Sequence, residues 1–259
     1  KFLSFCYTDN IIREIIGGGI FMRPVIGVPL RYTRTSDERP ILYIGEKVRR
    51  TLQKAGGEVF SITPPQDVDY INTKGNEFPE LTEEEKELIH RNLEYCDGLF
   101  FPGGIKITPY DRYLLEVAID KKIPVLAVCL GMQMMSCYDE EVKLEANESD
   151  ILHNQKDDDL SLSHEVAILK NSKLYEIIGK EKIMVNSFHN YHATSNHVYR
   201  TVATSSDGQI EALEYPTDTF HLGVQWHPEI SYDFDENSRK VIDAFISNEE
   251  AAKSGIWVI

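Results

Sequence analysis

The amino-acid sequence predicts an α/β protein in which helices cover both faces of a mostly parallel central sheet. In the first half of the chain, apolar runs of strand length alternate with segments of helical periodicity, which is typical of a parallel sheet with helices on both sides. In the second half, strand-like runs follow one another. We therefore expect a three-layer fold with a strand-rich C-terminal half.

The first strands and helices have separate signals. The run over 25–28 predicts the first strand, and apolar residues on one face predict a helix between residues 44 and 55 that ends at a glycine pair. A second strand is predicted over 59–62. Thr82 and Glu85 have the spacing of a capping box, which predicts the start of the next helix.

The central part of the chain alternates in the same way. An apolar run over 99–101 ends in Pro102-Gly103-Gly104, and a helix is predicted over 111–120. A strand over 123–128 then leads to a cysteine, after which a helix is predicted through Leu130-Gly131-Met132-Gln133.

The second half is predicted to contain further strands and a terminal helix. The strands are predicted over 166–168, 184–185, 201–203, 210–213 and 220–224, and the helix over 235–246. The polar, acidic segment 147–159 is predicted to be a surface loop without a chemical role.

Composition is typical of a soluble enzyme. The chain has 259 residues, and 42% of them are hydrophobic, which is enough for a sizeable core. A formal net charge of -15 argues against nucleic-acid binding and against anionic membrane surfaces, because both attract basic proteins. No apolar run approaches the roughly 18 residues that span a bilayer. We expect a cytoplasmic protein that binds neither nucleic acid nor membrane.

The sequence predicts no metal and no cofactor. His189, His192 and His197 lack cysteine or carboxylate partners at a recurrent ligand spacing. His164 is expected to be a structural hydrogen-bonding residue. The cysteines have neither metal-type pair spacing nor a disulfide framework, so we expect reduced thiols at Cys6, Cys96, Cys129 and Cys137.

Three segments are predicted along the chain. Residues 1–22 form an N-terminal extension outside the fold, residues 23–246 form one catalytic domain, and residues 247–259 form a C-terminal tail. The extension lacks the basic-then-apolar order of a signal peptide. Glycine codons are guanine-rich, so Gly17-Gly18-Gly19 before Met22 suggests a translated leader with Met22 as initiator. A genuine extension is the alternative.

Cys129 is the candidate nucleophile. It joins a predicted strand to a predicted helix, and Gly131 allows the tight turn that lifts the thiol out of the sheet edge. Exposed N–H groups at a helix N-terminus favour the thiolate, which is the form that attacks carbonyl carbons. The alternative is an inert buried thiol.

A candidate base lies far downstream, in the segment 224–229. Pro228 favours an extended conformation at His227, and residues two apart in an extended chain project to the same side. We therefore expect Glu229 to reach the His227 ring. A base oriented by a carboxylate is what a thiol nucleophile requires. For this segment alone, a solvated loop is the alternative.

Gly103 and Gly104 are a third candidate element. Consecutive glycines let backbone N–H groups approach a ligand closely, so Gly104 and Leu130 are candidates to donate hydrogen bonds to an oxyanion. Ordinary turn punctuation is the alternative.

The sequence resembles the class I glutamine amidotransferase-like proteins, and within them the γ-glutamyl hydrolase (peptidase C26) branch. The resemblance runs from Arg23 to about Ile246. Four stretches carry it, in the order of the family, and the Asn-Ser-x-His form points to the hydrolase branch. These stretches are 101–104, 124–133, 185–189 and 223–229.

The resemblance implies a flavodoxin-like three-layer sandwich and a role for each matching residue. Cys129 would be the nucleophile, His227 the base and Glu229 its orienting carboxylate, with Gly104 and Leu130 as oxyanion donors. The substrate contacts that it implies are Gly103, Gln133, Ser187, Phe188 and His189.

The expected activity is hydrolysis of a γ-glutamyl amide bond in a small molecule, through a glutamyl-thioester intermediate. The runner-up is a glutaminase subunit that delivers ammonia to a synthase partner. A third alternative is a catalytically silent binding module, which the shortened loop before Asp111 would suit. If the protein is the hydrolase, a homodimer is possible.

Overall fold

A nine-stranded mixed sheet is the centre of the fold in the residues that the structure describes. The structure is a computed structural model, and it describes residues 23–74, 77–137, 144–155, 161–194 and 198–253. The predicted extension at residues 1–22 lies outside these ranges. No helix within them combines the length and the apolar character needed to cross a bilayer.

The strands are β1 Val25–Pro29, β2 Arg31–Arg34, β3 Pro40–Tyr43, β4 Glu58–Ile62, β5 Gly98–Phe101, β6 Val125–Val128, β7 Leu144–Ala146, β8 His164–Ile168, β9 Lys182–Val185, β10 Tyr191–Ala193, β11 Arg200–Ser205, β12 Ile210–Glu214 and β13 His221–Val224. The helices are α1 Glu46–Lys54, α2 Glu83–Leu93, α3 Pro109–Asp120, α4 Leu130–Ser136, α5 Lys173–Ile178, α6 Pro228–Ser231 and α7 Glu236–Lys253.

The central sheet changes from parallel to antiparallel along its width. Its strand order is β4-β1-β5-β6-β13-β12-β11-β8-β9. The pairs from β4 to β13 are parallel, and the pairs from β13 to β9 are antiparallel. This confirms the α/β class, the mostly parallel first half and the strand-rich second half.

Alternate residues of the central strands pack on opposite faces of the sheet. Leu126 and Val128 join a core with α1 and α7, while Val125 and Ala127 join a second core with α2, α3 and α4. Each fully buried aliphatic or aromatic side chain contributes about 1.5–3 kcal/mol relative to an exposed one. The two cores explain why β5 and β6 are apolar throughout, since both of their faces are covered.

The pairing of β6 with β13 decides where the candidate residues lie. Val128 is in register with Val224, and both strands run in the same direction. The residues that follow them therefore leave the sheet at the same edge. Cys129 and His227 are brought together by this pairing, although they are far apart in the sequence.

Most predicted helices and strands are present, and the capping box of Thr82 and Glu85 forms as predicted. The hairpin of β2 and β3 was not predicted, because β3 is exposed along its length and has no apolar alternation. Helix α7 continues to Lys253, past the predicted domain boundary at 246.

The prediction of a surface loop over 147–159 is wrong for two residues. His153 and Gln155 are buried, with relative exposures of 2% and 4%. The segment contacts the interior through hydrogen bonds with the 187–189 backbone, which local polarity cannot reveal. Residues 156–160 lie outside the described ranges.

Candidate active site

Cys129 occupies a strained turn between β6 and α4. Its φ of 52° and ψ of -107° lie outside the regions that residues with a side chain ordinarily adopt, which costs on the order of 1–3 kcal/mol. Its backbone N–H donates to Val224 O at 2.9 Å, and its carbonyl accepts from Gln133 N at 2.9 Å. The strand on one side and the helix on the other hold the cysteine in this conformation.

Gly131 makes the turn sterically possible. A Cβ at this position would lie 2.6 Å from the Phe101 carbonyl oxygen and 2.8 Å from the Phe101 Cβ. Any larger residue would push α4 away from β5 and displace the start of the helix. The close packing of this helix on the sheet therefore depends on glycine.

His227 follows β13 and is paired with Glu229. Its Nδ1 donates to Glu229 Oε1 at 2.7 Å. The predicted contact is present, and His227 has the predicted non-helical backbone, with φ of -112° and ψ of 82°. Pro228 begins helix α6, so Glu229 reaches the ring from the first turn of a helix and not from an extended chain. The Glu229 carbonyl accepts a hydrogen bond from Thr51 Oγ1 at 2.9 Å, which ties this turn to α1.

The Cys129 side chain lies beside the His227 ring. The surroundings of Gly103 show how little space there is next to these two side chains. A Cβ on Gly103 would lie 2.9 Å from His227 Cε1 and 3.5 Å from Cys129 Cβ. Because Nδ1 is bonded to Glu229, Nε2 is the ring nitrogen that is left for the thiol.

The charge of His227 is set by opposing effects. Burial acts to lower the pKa of His227, while the Glu229 carboxylate and hydrogen bonds with Cys129 and Glu229 act to raise it. The outcome is a pKa well above the usual value for histidine. A protonated ring beside the sulfur stabilises negative charge on Cys129, which is the charge that a nucleophilic thiolate needs.

The sequence-predicted oxyanion residues lie next to each other. A Cβ on Gly104 would lie 2.9 Å from Leu130 Cδ2. The turn that contains Gly104 is braced by Arg31, whose Nη2 donates to Pro102 O at 2.9 Å and whose Nε donates to Gly103 O at 3.2 Å.

Arg31 is itself held by a buried ion pair. Its Nη1 lies 2.6 Å from Asp111 Oδ1, and both side chains are buried. Asp111 also caps α3 through Thr108. Sequence reasoning assigned no role to this pair, because a polar residue at a strand end has no local signal of such a partner.

The predicted substrate contacts fall into two groups. Phe188 lies against His227 with ring centroids 5.7 Å apart, and Gly103 also borders the site. Gln133, Ser187 and His189 are buried. Gln133 Nε2 donates to Tyr191 O at 2.7 Å, and Ser187 Oγ donates to His153 O at 2.7 Å, so the Gln133 amide nitrogen and the Ser187 hydroxyl are bonded within the protein.

A group of residues that could hold a metal lies near this site. His153, His164, His189 and Glu211 are all buried, and one ligand atom from each lies within 4.8 Å of the others. Burial lowers the pKa of His164, lowers that of His189 to about 3 and raises that of Glu211 well above its usual value. Histidine spacing gave no signal of this group, because its members come from separate segments.

Comparisons with known proteins identify the family. A family model for peptidase C26 matches residues 108–229, a range that contains Cys129, His227 and Glu229. A Schizosaccharomyces pombe protein named as a glutamine amidotransferase is 32% identical over 181 residues, which are 60% of this chain and 70% of that protein. This chain belongs to the peptidase C26 branch of the class I glutamine amidotransferase-like superfamily. The resemblance found in the sequence is thereby confirmed.

Another relative of this amidotransferase-like chain has a more specific name. The γ-glutamyl-γ-aminobutyrate hydrolase of Escherichia coli strain K12 is 27% identical over 192 residues, which are 63% of this chain and 76% of that hydrolase. Together with the family match, this makes the chain a hydrolase of the glutamine amidotransferase type.

Solved structures confirm the amidotransferase fold. A Thermoplasma acidophilum protein described as part of a GMP synthase is similar with a TM-score of 0.60 at 14% identity, covering 90% of this chain and 96% of that one. The glutaminase domain of Trypanosoma brucei CTPS, with bound acivicin, is similar with a TM-score of 0.58 at 18% identity and the same coverage.

Proposed function

We propose that this enzyme hydrolyses γ-glutamyl amide bonds through a glutamyl thioester on Cys129. The observation that carries the proposal is the strained Cys129 turn facing His227, which is in turn bonded to Glu229. A nucleophile, a base and an orienting carboxylate are the three parts that covalent amide hydrolysis requires. The name of the E. coli relative supports the γ-glutamyl substrate class.

The first half-reaction forms the thioester. Cys129 Sγ attacks the side-chain amide carbon of the substrate, and the carbonyl oxygen becomes an oxyanion that the N–H groups of Gly104 and Leu130 stabilise. The carbon–nitrogen bond then breaks as His227 gives its proton to the departing nitrogen. An amine or ammonia leaves, and the glutamyl group stays on the sulfur.

The second half-reaction releases glutamate. His227, now neutral, takes a proton from a water molecule as its oxygen attacks the thioester carbon. The carbon–sulfur bond breaks, the sulfur leaves as thiolate and the ring is again protonated. Glu229 holds the same ring nitrogen throughout, so that Nε2 always faces the reacting atoms.

A panel of γ-glutamyl amines and glutamine, read out as glutamate release by the purified protein, tests this proposal. We expect release from at least one γ-glutamyl amine and a loss of at least about 10³-fold in Cys129→Ser, because removal of a single oxyanion donor already costs about 10²–10³. Cys96→Ser is the matched control, since burial raises the pKa of the Cys96 thiol to about 12 and leaves it inert. Unchanged turnover in Cys129→Ser would reject the assignment.

The same assay separates the alternatives. A glutaminase subunit would release ammonia from glutamine only when a synthase partner is added. A silent binding module would not be labelled at Cys129 by an electrophilic glutamine analogue, as detected by peptide mass spectrometry. We expect labelling at Cys129, and none in the Cys129→Ser protein.

A further inference from the structure

Four buried side chains from distant segments converge between β8 and β12 and the loops beside them. His153 precedes β8, His164 begins it, His189 lies between β9 and β10, and Glu211 lies in β12. Their relative exposures are 2%, 6%, 3% and 0%. A set of one carboxyl and three imidazole groups so deep in a protein needs compensating partners.

The polar atoms that face one another in this group have no such partners. Glu211 Oε1 lies 3.6 Å from His153 Nδ1, 3.6 Å from His164 Nε2 and 3.9 Å from His189 Nε2. These distances are too long for hydrogen bonds. Among the described residues, these three nitrogens and both Glu211 carboxyl oxygens have no hydrogen-bond partner.

The other nitrogen of each histidine is bonded to an acceptor. His153 Nε2 donates to the Asp207 carboxylate at 2.9 Å, and His189 Nδ1 donates to the Tyr191 carbonyl at 3.0 Å. His164 Nδ1 lies 3.4 Å from the Glu165 carbonyl, a longer contact of the same kind.

These outward acceptors favour the tautomer in which the outer nitrogen carries the proton. A neutral imidazole that donates from one nitrogen has a lone pair on the other, so three lone pairs point inward at the Glu211 carboxyl group. Outward hydrogen bonds to carboxylates and carbonyls are the usual arrangement of metal-binding histidines. A single water would supply only two donors to the three imidazole lone pairs.

We propose that His153, His164, His189 and Glu211 bind one Zn²⁺ ion in a tetrahedral site. Three imidazole nitrogens and one carboxylate oxygen form a ligand set that suits zinc. Zn–N and Zn–O bonds of about 2.0–2.2 Å place tetrahedral ligand atoms roughly 3.3–3.6 Å apart. The Glu211 contacts therefore need to contract by only a few tenths of an ångström, while ligand atoms of the group that lie as far as 4.8 Å apart would need to approach by about 1 Å. The sequence-based expectation of no metal is replaced by this proposal.

Asp207 holds the proposed ligand His153 from the outer side of the group. Asp207 accepts from His153, from Gln209 Nε2 at 3.3 Å and from Ser205 Oγ, which fixes its position behind the ligand.

The ion would be a structural and positioning element of the active site. Four protein ligands close a tetrahedral site, so no coordination position is left for a substrate. His189 belongs to the segment that contains Asn186 and Phe188. Asn186 bonds the His227 backbone and Phe188 packs on the His227 ring, so a metal that anchors His189 anchors the surroundings of the base.

Metal analysis of the full chain, purified without chelators or a histidine tag and then dialysed, tests the proposal. We expect about one zinc per chain by inductively coupled plasma mass spectrometry. After removal of zinc, Co²⁺ should bind at the same stoichiometry with the visible absorption of a tetrahedral site. Cys129→Ala should retain the metal, so the zinc proposal can fail or succeed independently of the proposed reaction.

Matched variants locate the ion. His164→Gln should lose zinc, and Asp207→Asn should weaken zinc binding about 10–100-fold, because it removes the acceptor behind His153. His221→Gln is the control, since His221 is buried in the same sheet but donates from Nε2 to Ile123 O at 2.9 Å, away from the group. It should retain the metal.

Two results would overturn the proposal. One is a folded wild-type protein that contains no zinc after equilibration with ZnCl₂ and gives no tetrahedral Co²⁺ spectrum. The other is a His164→Gln protein that binds zinc as tightly as wild type. If His164→Gln does not fold, the Co²⁺ spectrum of the wild-type protein and the zinc affinity of Asp207→Asn decide whether the proposal stands.

Discussion

Asn186 holds the backbone of His227 with both ends of its side-chain amide. Its Nδ2 donates to the His227 carbonyl at 2.8 Å, and its Oδ1 accepts from the His227 N–H at 2.8 Å. Nδ2 also lies 3.1 Å from Ser231 Oγ, so the amide joins both ends of the first turn of α6. The position of the candidate base therefore depends on a residue of another segment.

We predict that Asn186→Ala lowers kcat with little change in KM. Displacement of a catalytic group by about 1 Å costs on the order of 10²-fold in rate. Steady-state kinetics on the γ-glutamyl substrate found in the panel measure this. Asn154→Ala is the control, because the Asn154 amide bonds the Asn190 side chain at the exposed surface. Equal kcat in the two variants would contradict the positioning role.

Gly103→Ala should abolish most activity while the fold is retained. The added methyl group would lie 2.9 Å from His227 Cε1, and the ring must move to accommodate it. A loss of roughly 10²-fold in kcat/KM is expected from such a displacement. Gly45→Ala is the matched control, because its methyl group would meet only Val48 Cγ2 at 3.8 Å. Wild-type activity in Gly103→Ala would contradict this prediction, because it would show that the His227 ring can shift without loss of catalysis.

Asp111→Asn should destabilise the protein and slow catalysis together. It leaves the buried Arg31 guanidinium without its carboxylate, and breaking a buried pair in this way costs about 3–5 kcal/mol. Arg31 braces the carbonyls of Pro102 and Gly103, so the oxyanion turn should loosen as well. Urea unfolding and kcat measure the two effects.

The ion pair between Lys54 and Asp233 provides the comparison for Asp111→Asn. Both side chains of that pair are exposed, so Asp233→Asn should leave the unfolding midpoint close to that of wild type. Similar midpoints for Asp111→Asn and Asp233→Asn would mean that the buried pair has no special role.

The pH profile of kcat/KM should report the raised pKa of His227. The acylation step needs a protonated ring, so activity should persist above pH 6.5 and fall as pH rises through the folded-state pKa. Glu229 and Cys129 are the groups that raise this pKa, while His189 nearby is kept neutral by burial. Glu229→Gln should therefore move the alkaline limb to lower pH.

The free energy of unfolding should also decrease at alkaline pH. The folded-state pKa of His227 lies above its unfolded value, so this residue contributes stability that is fully present below about pH 6.5 and is lost as pH rises through the folded pKa. Urea unfolding of wild type and Glu229→Gln across this range measures the contribution. If both proteins lose stability at the same alkaline pH, the pH dependence does not come from the raised pKa of His227.

Local signals in the sequence were sufficient for most of the fold and for the candidate triad. Strand-length apolar runs and helical periodicity predicted the elements around Cys129, because each signal arises within one segment. The capping box at Thr82 and the turn at Gly131 are local in the same sense. Glu229 was predicted to reach His227 because the two residues are neighbours in the chain.

Contacts between distant segments were decided only by the tertiary structure. The pairing of β6 with β13 brings Cys129 to His227, and the folding of the segment that contains His153 against β12 assembles the proposed zinc ligands. No sequence pattern predicts the Arg31–Asp111 ion pair or the hydrogen bonds between Asn186 and the His227 backbone. Periodicity reports which face of an element is buried, but the partner that covers it depends on the packing of the whole sheet.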